Sequence, residues 1–171
     1  YPGGPEISRL ALKSRERSQE DLIKLPRPMI HSHNLDFSYS GLKTAVLYRL
    51  KEQGELSEQF REDMARAFED AAVEVLIEKT RLALTRLENN IQTLIVGGGV
   101  AANVYLAEKL RELKVEFPNI ELRLPIKALS TDNAIMIGIA AFIKIKVTPE
   151  VLEDRSPIKA RGNLVISSVQ A

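Results

Sequence analysis

Cysteine is absent from the 171 residues, which excludes disulfides, thiolate metal sites and cysteine nucleophiles and matches the usage of a reducing compartment. A surplus of either charge is absent too, since 24 Lys plus Arg stand against 23 Asp plus Glu for a net charge of +1. A self-sufficient nucleic-acid binder carries a broad basic footprint, so any RNA contact made by this chain is expected to be local or shared. Long apolar runs are missing as well: the richest, Ala134 to Ile145, is interrupted by Gly138 and Lys144 and is too short for a bilayer span. No methionine or signal-peptide pattern stands at Tyr1. The expectation is a soluble protein with no membrane partner, cytoplasmic or in an organellar matrix, whose chain begins inside a longer one.

What is present is apolar mass, 44% of the residues, enough for one compact domain or one lobe of a larger one. Tyr1-Pro2-Gly3-Gly4-Pro5 reads as a tight loop, because prolines remove donors and glycines free the backbone. Ile7, Leu10 and Ala11 then have the spacing of a short helix to about Lys13, followed by a solvated polar stretch from Ser14 to Lys24. Ile30, Leu35 and Phe37 supply one or two short strands between Met29 and Tyr39. A helix runs from Gly41 to a C-cap at Gly54, and Ser57 caps a long helix to about Glu88 with Phe60, Met64, Phe68, Ala71, Val75 and Leu82 as its buried stripe.

Thr93 to Val96 reads as a strand, Gly97-Gly98-Gly99 as a turn, and Ala101 to Leu113 as a helix. Ile120 to Leu124 gives a second strand ended by Pro125, and Ser130 to Asp132 cap a helix to about Lys146 that is apolar nearly all round and therefore expected to be buried. Val165 and Ile166 offer a terminal strand or docking segment. Strands each followed by a helix predict an α/β architecture, helix-rich with a partial parallel or mixed sheet. The main body is 1–148, an incomplete lobe, and 149–171 is a tail.

Two constellations carry a chemical rationale. In Gly97 through Asn103 the glycines allow close approach of backbone to a ligand, and Asn103, placed in the first turn of the following helix, has an amide that can donate and accept. The plainer account is a strand-to-helix turn packed on glycine. In Ser130-Thr131-Asp132-Asn133 a carboxylate sits where open α/β sheets place ligands and could hold a metal, although a capped helix start explains the same residues. His31 and His33 have only Asp36 as a third ligand nearby and match no zinc spacing. Lys13, Arg15, Arg17, Lys24 and Arg27 are interleaved with Glu16, Glu20 and Asp21, so a solvated face outweighs an RNA contact.

Taken in order, Tyr1-Pro2-Gly3-Gly4-Pro5, then Leu35 through Thr44 with its Ser-Gly-Leu-Lys-Thr ending, then Ala65 through Ala71, Gly97 through Asn103, and Ser130 through Ala134 resemble the tRNA threonylcarbamoyladenosine transferase family, in its bacterial or organellar form. The resemblance covers about Tyr1 to Ala141 and implies the C-terminal lobe of an actin-like ATPase fold. It implies that Gly4 and Asn103 contact ATP or threonylcarbamoyl-AMP, with Gly97, Gly98 and Gly99 as backbone support. It implies that Asp132 ligates one divalent metal, Fe2+ or Zn2+, whose two histidine partners form a His-x-x-x-His motif that this chain lacks. No residue resembles a dedicated general base, so no catalytic side chain is assigned. The implied partners are tRNA, a paralogous actin-like subunit and a P-loop ATPase, and the implied reaction is transfer of threonylcarbamoyl to the adenosine beside the anticodon, with this piece inactive alone. Val104-Tyr105 and the tail after Asp154 depart from the family pattern. Two other readings are a non-catalytic nucleotide-binding or scaffold module and another actin-like phosphotransferase; the Ser-Gly-Leu-Lys-Thr and Ser-Thr-Asp-Asn segments together argue against the latter.

Overall fold

A computed structural model describes residues 3–17, 23–87, 90–126, 130 and 133–152. In chain order these form α1 (Gly3–Arg17), α2 (Ser40–Gln53), α3 (Glu58–Leu87), β1 (Thr93–Ile95), α4 (Val104–Glu116), β2 (Glu121–Arg123) and α5 (Ala134–Val147), with 3-10 turns at Gly99–Ala102 and Pro149–Leu152. The chain divides into two compact units, Tyr1–Thr131 and Asp132–Ala171. No described helix is long and apolar enough to cross a membrane.

The first unit is organised by α3. Its N-terminal half packs Met64, Ala67 and Ala71 against Leu25 and Leu42 of the preceding chain. Its C-terminal half packs Val73, Ile77 and Leu84 against Leu106, Leu110 and Leu113 of α4 and against Phe117 and Ile120 that follow it. Spacings of three and four residues along a 30-residue helix therefore serve two clusters, one on each side of its midpoint. Ser57 caps α3 as expected, its hydroxyl accepting from Phe60 N at 3.2 Å. Gly54 ends α2 with φ 68°, a left-handed conformation that glycine adopts without steric cost.

β1 and β2 pair in parallel with Thr93 opposite Glu121, Leu94 opposite Leu122 and Ile95 opposite Arg123. The strand–helix–strand unit predicted from the alternation is present, and the described sheet has two strands.

Several expectations require correction. The Pro-Gly-Gly-Pro segment is no loop from Gly3 onward: Gly3, Gly4 and Pro5 form the first turn of α1, where a missing proline N–H costs nothing, and the helix runs past Lys13 to Arg17. The start of the stretch from Ser14 to Lys24 faces α3 rather than solvent, while residues 18–22 lie outside the described residues. Ser14 is buried and donates to Asp63 at 2.6 Å, while Lys13, Arg15 and Arg17 pair with carboxylates of α3. No strand forms between Met29 and Tyr39. The carbonyls of Ser32 and Asn34 instead accept from the buried Lys79 side chain at 2.8 and 2.9 Å, which draws this segment onto α3, and Met29 turns the backbone with φ 62°. The helix after Asp132 is capped by Asn133, which accepts from Met136 N, rather than by Ser130, whose hydroxyl donates to Ile126 O. That helix, α5, buries no residue: Ile137 and Phe142 are 72% and 61% exposed. Apolar residues all round require a covering surface, and among the described residues of its own unit α5 packs against the short turn Pro149–Leu152. Val165 and Ile166 lie outside the described residues.

Candidate functional site

The site is built where the start of α1 meets the segment leading into α4. Gly4, Pro5 and Ser8 face Gly99, Val100, Ala102 and Asn103 across a cleft of about 340 Å3. This opens beside a larger cavity of about 890 Å3, which shares Gly4, Ser8, Val100 and Asn103 and extends past Tyr39, Lys43 and Phe68. Gly4 and Asn103, 99 positions apart in sequence, thus line the same two spaces. A Cβ built on Gly4 would meet no protein atom within 4 Å, so packing does not demand glycine there.

Gly99 lines the smaller cleft, whereas Gly97 and Gly98 lie outside both linings. Gly98 has φ 90°, a conformation that disfavours any residue with a side chain. It turns the chain from β1 into the 3-10 turn Gly99–Ala102. Because that turn intervenes, Asn103 is the N-cap of α4 and not a residue of its first turn: its backbone is extended, and its Oδ1 accepts from Leu106 N at 2.7 Å.

The Asn103 Nδ2 donates to Ser8 Oγ at 3.0 Å and to Glu69 Oε1 at 2.8 Å, and Ser8 Oγ donates to the same Glu69 oxygen at 2.7 Å. The other Glu69 oxygen accepts from Arg15 Nη1 at 2.6 Å, and Arg15 Nη2 donates to Asp70 at 2.5 Å. Burial works against charge on the Arg15 guanidinium, but Asp70 and Glu69 hold its pKa above the ordinary value. The guanidinium lies 3.7 Å from the centroid of the Tyr105 ring. Burial, reinforced by the Asp70 carboxylate, pushes the Tyr105 phenol up to about 12. Burial also raises Tyr39, whose hydroxyl donates to Ala72 O at 3.1 Å.

Ser8, Arg15 and Glu69 were not singled out as site residues from the sequence. A signal existed: Glu62 and Glu69, like Asp63 and Asp70, are seven residues apart, two helical turns, so they share a face of α3. Acidic residues on a buried face need a basic partner. Arg15 and Arg17 are that partner.

Lys43 is the single cation among the described residues lining the larger cavity, whose walls are otherwise mostly apolar. A cavity of this size, mostly apolar with a few convergent polar groups, suits a small organic ligand. Asp132 lies outside the described residues. No group of three potential ligands for a metal occurs among the described residues, so His31, His33 and Asp36 do not form one. A metal centre would need ligands beyond them.

A model of the tRNA N6-adenosine threonylcarbamoyltransferase family matches residues 1–139. Bacterial proteins of that name are similar to the chain: one from Chromobacterium violaceum is 45% identical over 150 residues, covering 85% of this chain and 42% of the relative. One from Paraburkholderia xenovorans is 44% identical over 152 residues, covering 88% and 42%. The chain therefore spans about two-fifths of the length of these relatives. With the match covering most of its length and its Gly4–Asn103 cleft falling inside the matched region, the chain belongs to the tRNA N6-adenosine threonylcarbamoyltransferase family.

Proposed function

We propose that this chain is part of a transferase that moves the threonylcarbamoyl group from threonylcarbamoyl-AMP to the exocyclic amine of the adenosine beside the anticodon of tRNA. The observation that carries this reading is the convergence of Gly4 and Asn103 on one cleft inside the family match. The adenylate would lie along the cavity shared by α1, α2 and α3, in what is, on this reading, the C-terminal lobe of an actin-like fold. Gly4 would leave room for it, and Asn103 would bond it. Lys43 would face its anionic end, and Gly97 to Gly99 would shape the turn that brings Asn103 into place.

The amine nitrogen forms a bond to the carbamoyl carbon, the bond from that carbon to the phosphate oxygen breaks, and AMP leaves with the electron pair while the amine gives up a proton. Glu69 is the one carboxylate among the described lining residues, and both its oxygens already accept hydrogen bonds. It is thus poorly placed to take that proton. What the chain supplies is positioning of an already activated donor. Asp132 is proposed as one ligand of a divalent metal, Fe2+ or Zn2+, whose remaining ligands lie elsewhere; such an ion would polarise oxygen on the donor. A paralogous actin-like subunit and a P-loop ATPase are the proposed partners, and the cytoplasm or an organellar matrix the proposed compartment.

The test is tRNA modification by the intact protein with Asn103→Ala. Loss of transfer in a folded variant supports the reading, and unchanged transfer removes Asn103 from the site.

A further inference from the structure

Glu69 is 4% exposed and stands at the centre of the polar contacts behind the cleft. One of its oxygens accepts from both Ser8 Oγ and Asn103 Nδ2, and the other from Arg15. Ser8 closes a triangle: it donates to Glu69 and accepts from Asn103. A primary amide has two hydrogens to give and two lone pairs to offer. The Asn103 amide group donates toward Glu69 and Ser8, which sit on the same side of Nδ2, and one lone pair of Oδ1 is taken by the Leu106 amide. The second lone pair of Oδ1 is left to meet a ligand.

We propose that Glu69 is a positioning residue that locks the Asn103 amide so that Oδ1 presents its second lone pair to the ligand. The inference rests on the adenylate reading above and deepens it. The helix cap fixes where Oδ1 lies, and the bond to Glu69 fixes the rotation of the amide plane about it. The group recognised is a ligand N–H or O–H, such as the exocyclic amine of adenine or a ribose hydroxyl.

The substitution Glu69→Gln cannot preserve the arrangement. Its single oxygen can serve Asn103 and Ser8 or it can serve Arg15, and in either orientation the new NH2 group meets donors. The substitution Asn103→Asp sets a second carboxylate 2.8 Å from Glu69. Together the two are complementary: Gln at position 69 donates to Asp at position 103 while its oxygen accepts from Arg15, and the aspartate keeps both the cap to Leu106 and the free lone pair.

The experiment measures AMP affinity by calorimetry for the intact protein and these variants, with circular dichroism as the check on folding. Each single substitution is expected to weaken AMP by about tenfold, the equivalent of one charge-assisted hydrogen bond. The double variant is expected to return to within about threefold of the parent, a coupling that only a direct partnership produces. Unchanged affinity in folded Glu69→Gln, or additive losses in the double variant, would overturn the positioning role while leaving the adenylate site standing. If a single variant does not fold, the double variant decides alone, since a loss beyond about tenfold contradicts the inference and near-parental affinity supports it. Failure of the parent to bind AMP would overturn the adenylate reading and this inference with it.

Discussion

Arg15 lies over the face of Tyr105 at 3.7 Å from the ring centroid, with its two amino groups held by Glu69 and Asp70. Sequence alone leaves Arg15 in a mixed-charge stretch and Tyr105 in a departure from the family pattern. In the folded chain they form the back wall of the contacts that reach Asn103.

The burial of Tyr105 beside Asp70 sets a titration, which Arg15 partly opposes. The Tyr105 phenol is pushed up to about 12 by burial and by Asp70, so the folded state holds its proton more tightly than the unfolded chain does. The sign follows: its contribution to stability is complete below the ordinary value of 10.0 and is lost as pH rises from there through about 12. Phenolate absorbance across an alkaline titration should show a late step that Tyr105→Phe removes. A titration with all four tyrosines ionising together near their ordinary value would contradict the burial of Tyr105 beside Asp70.

At the acid end the pairs between α1 and α3 decide. Burial alone would raise the Glu62 carboxyl, but Arg17 and then Lys13 outweigh it and bring it below its ordinary 4.5. Glu116 is likewise lowered, by Arg81. The unfolded chain then binds more protons than the folded one as pH falls, so this stabilisation is present above about 4.5 and disappears as pH drops through the lowered values. Urea unfolding at a series of acid pH values should show stability falling in that window, with a shallower fall in Glu62→Gln. An identical slope in that variant would remove Glu62 from the account.

The loop before α2 is pinned rather than paired. Lys79, 5% exposed, donates to Ser32 O, Ser32 Oγ and Asn34 O. Lys79→Met should leave those acceptors without a donor, at a cost of about 1–3 kcal/mol. Amide exchange should quicken in residues 29–36 with little change in α4. Equal acceleration in both segments would show that the lysine acts on the whole core and not on the loop.

Much of this architecture is legible in the order of residues. The 3.6-residue period marks α2 and α3, glycine marks the end of α2, and the apolar runs flanking α4 mark the parallel pair, because each of these is set by local geometry. Several of the failures share a cause. Ser14, Arg15, Arg17 and Lys79 are polar residues whose partners are 45 or more positions away, and no local pattern announces a distant partner. The same limit applies to Asn103. Its place beside the glycine turn follows from the sequence, but its role as N-cap, and the occupation of its amide by Glu69 and Ser8, depend on where α1 and α3 fall.

Gly4 separates binding from folding. It lies in the first turn of α1, where an added Cβ meets no protein atom within 4 Å. Gly4→Ala should leave thermal stability equal to the parent or slightly raised, since alanine is the better helix former by up to about 1 kcal/mol. Gly4→Leu should also fold but fill the mouth of the cleft and weaken AMP by at least about tenfold. Equal AMP affinity in folded Gly4→Leu would show that the ligand does not pass over this turn.

The most direct test of the adenylate site is photolabelling of the intact protein with an azido-adenine derivative of AMP, followed by mapping of the labelled peptides. Label on Gly3–Arg17 and on 99–106, suppressed by excess AMP, is the predicted result, since these segments face each other across the cleft. Label confined to the separate cleft bounded by Arg111, Lys114, Pro118 and Leu124, with none on those two segments, would contradict it.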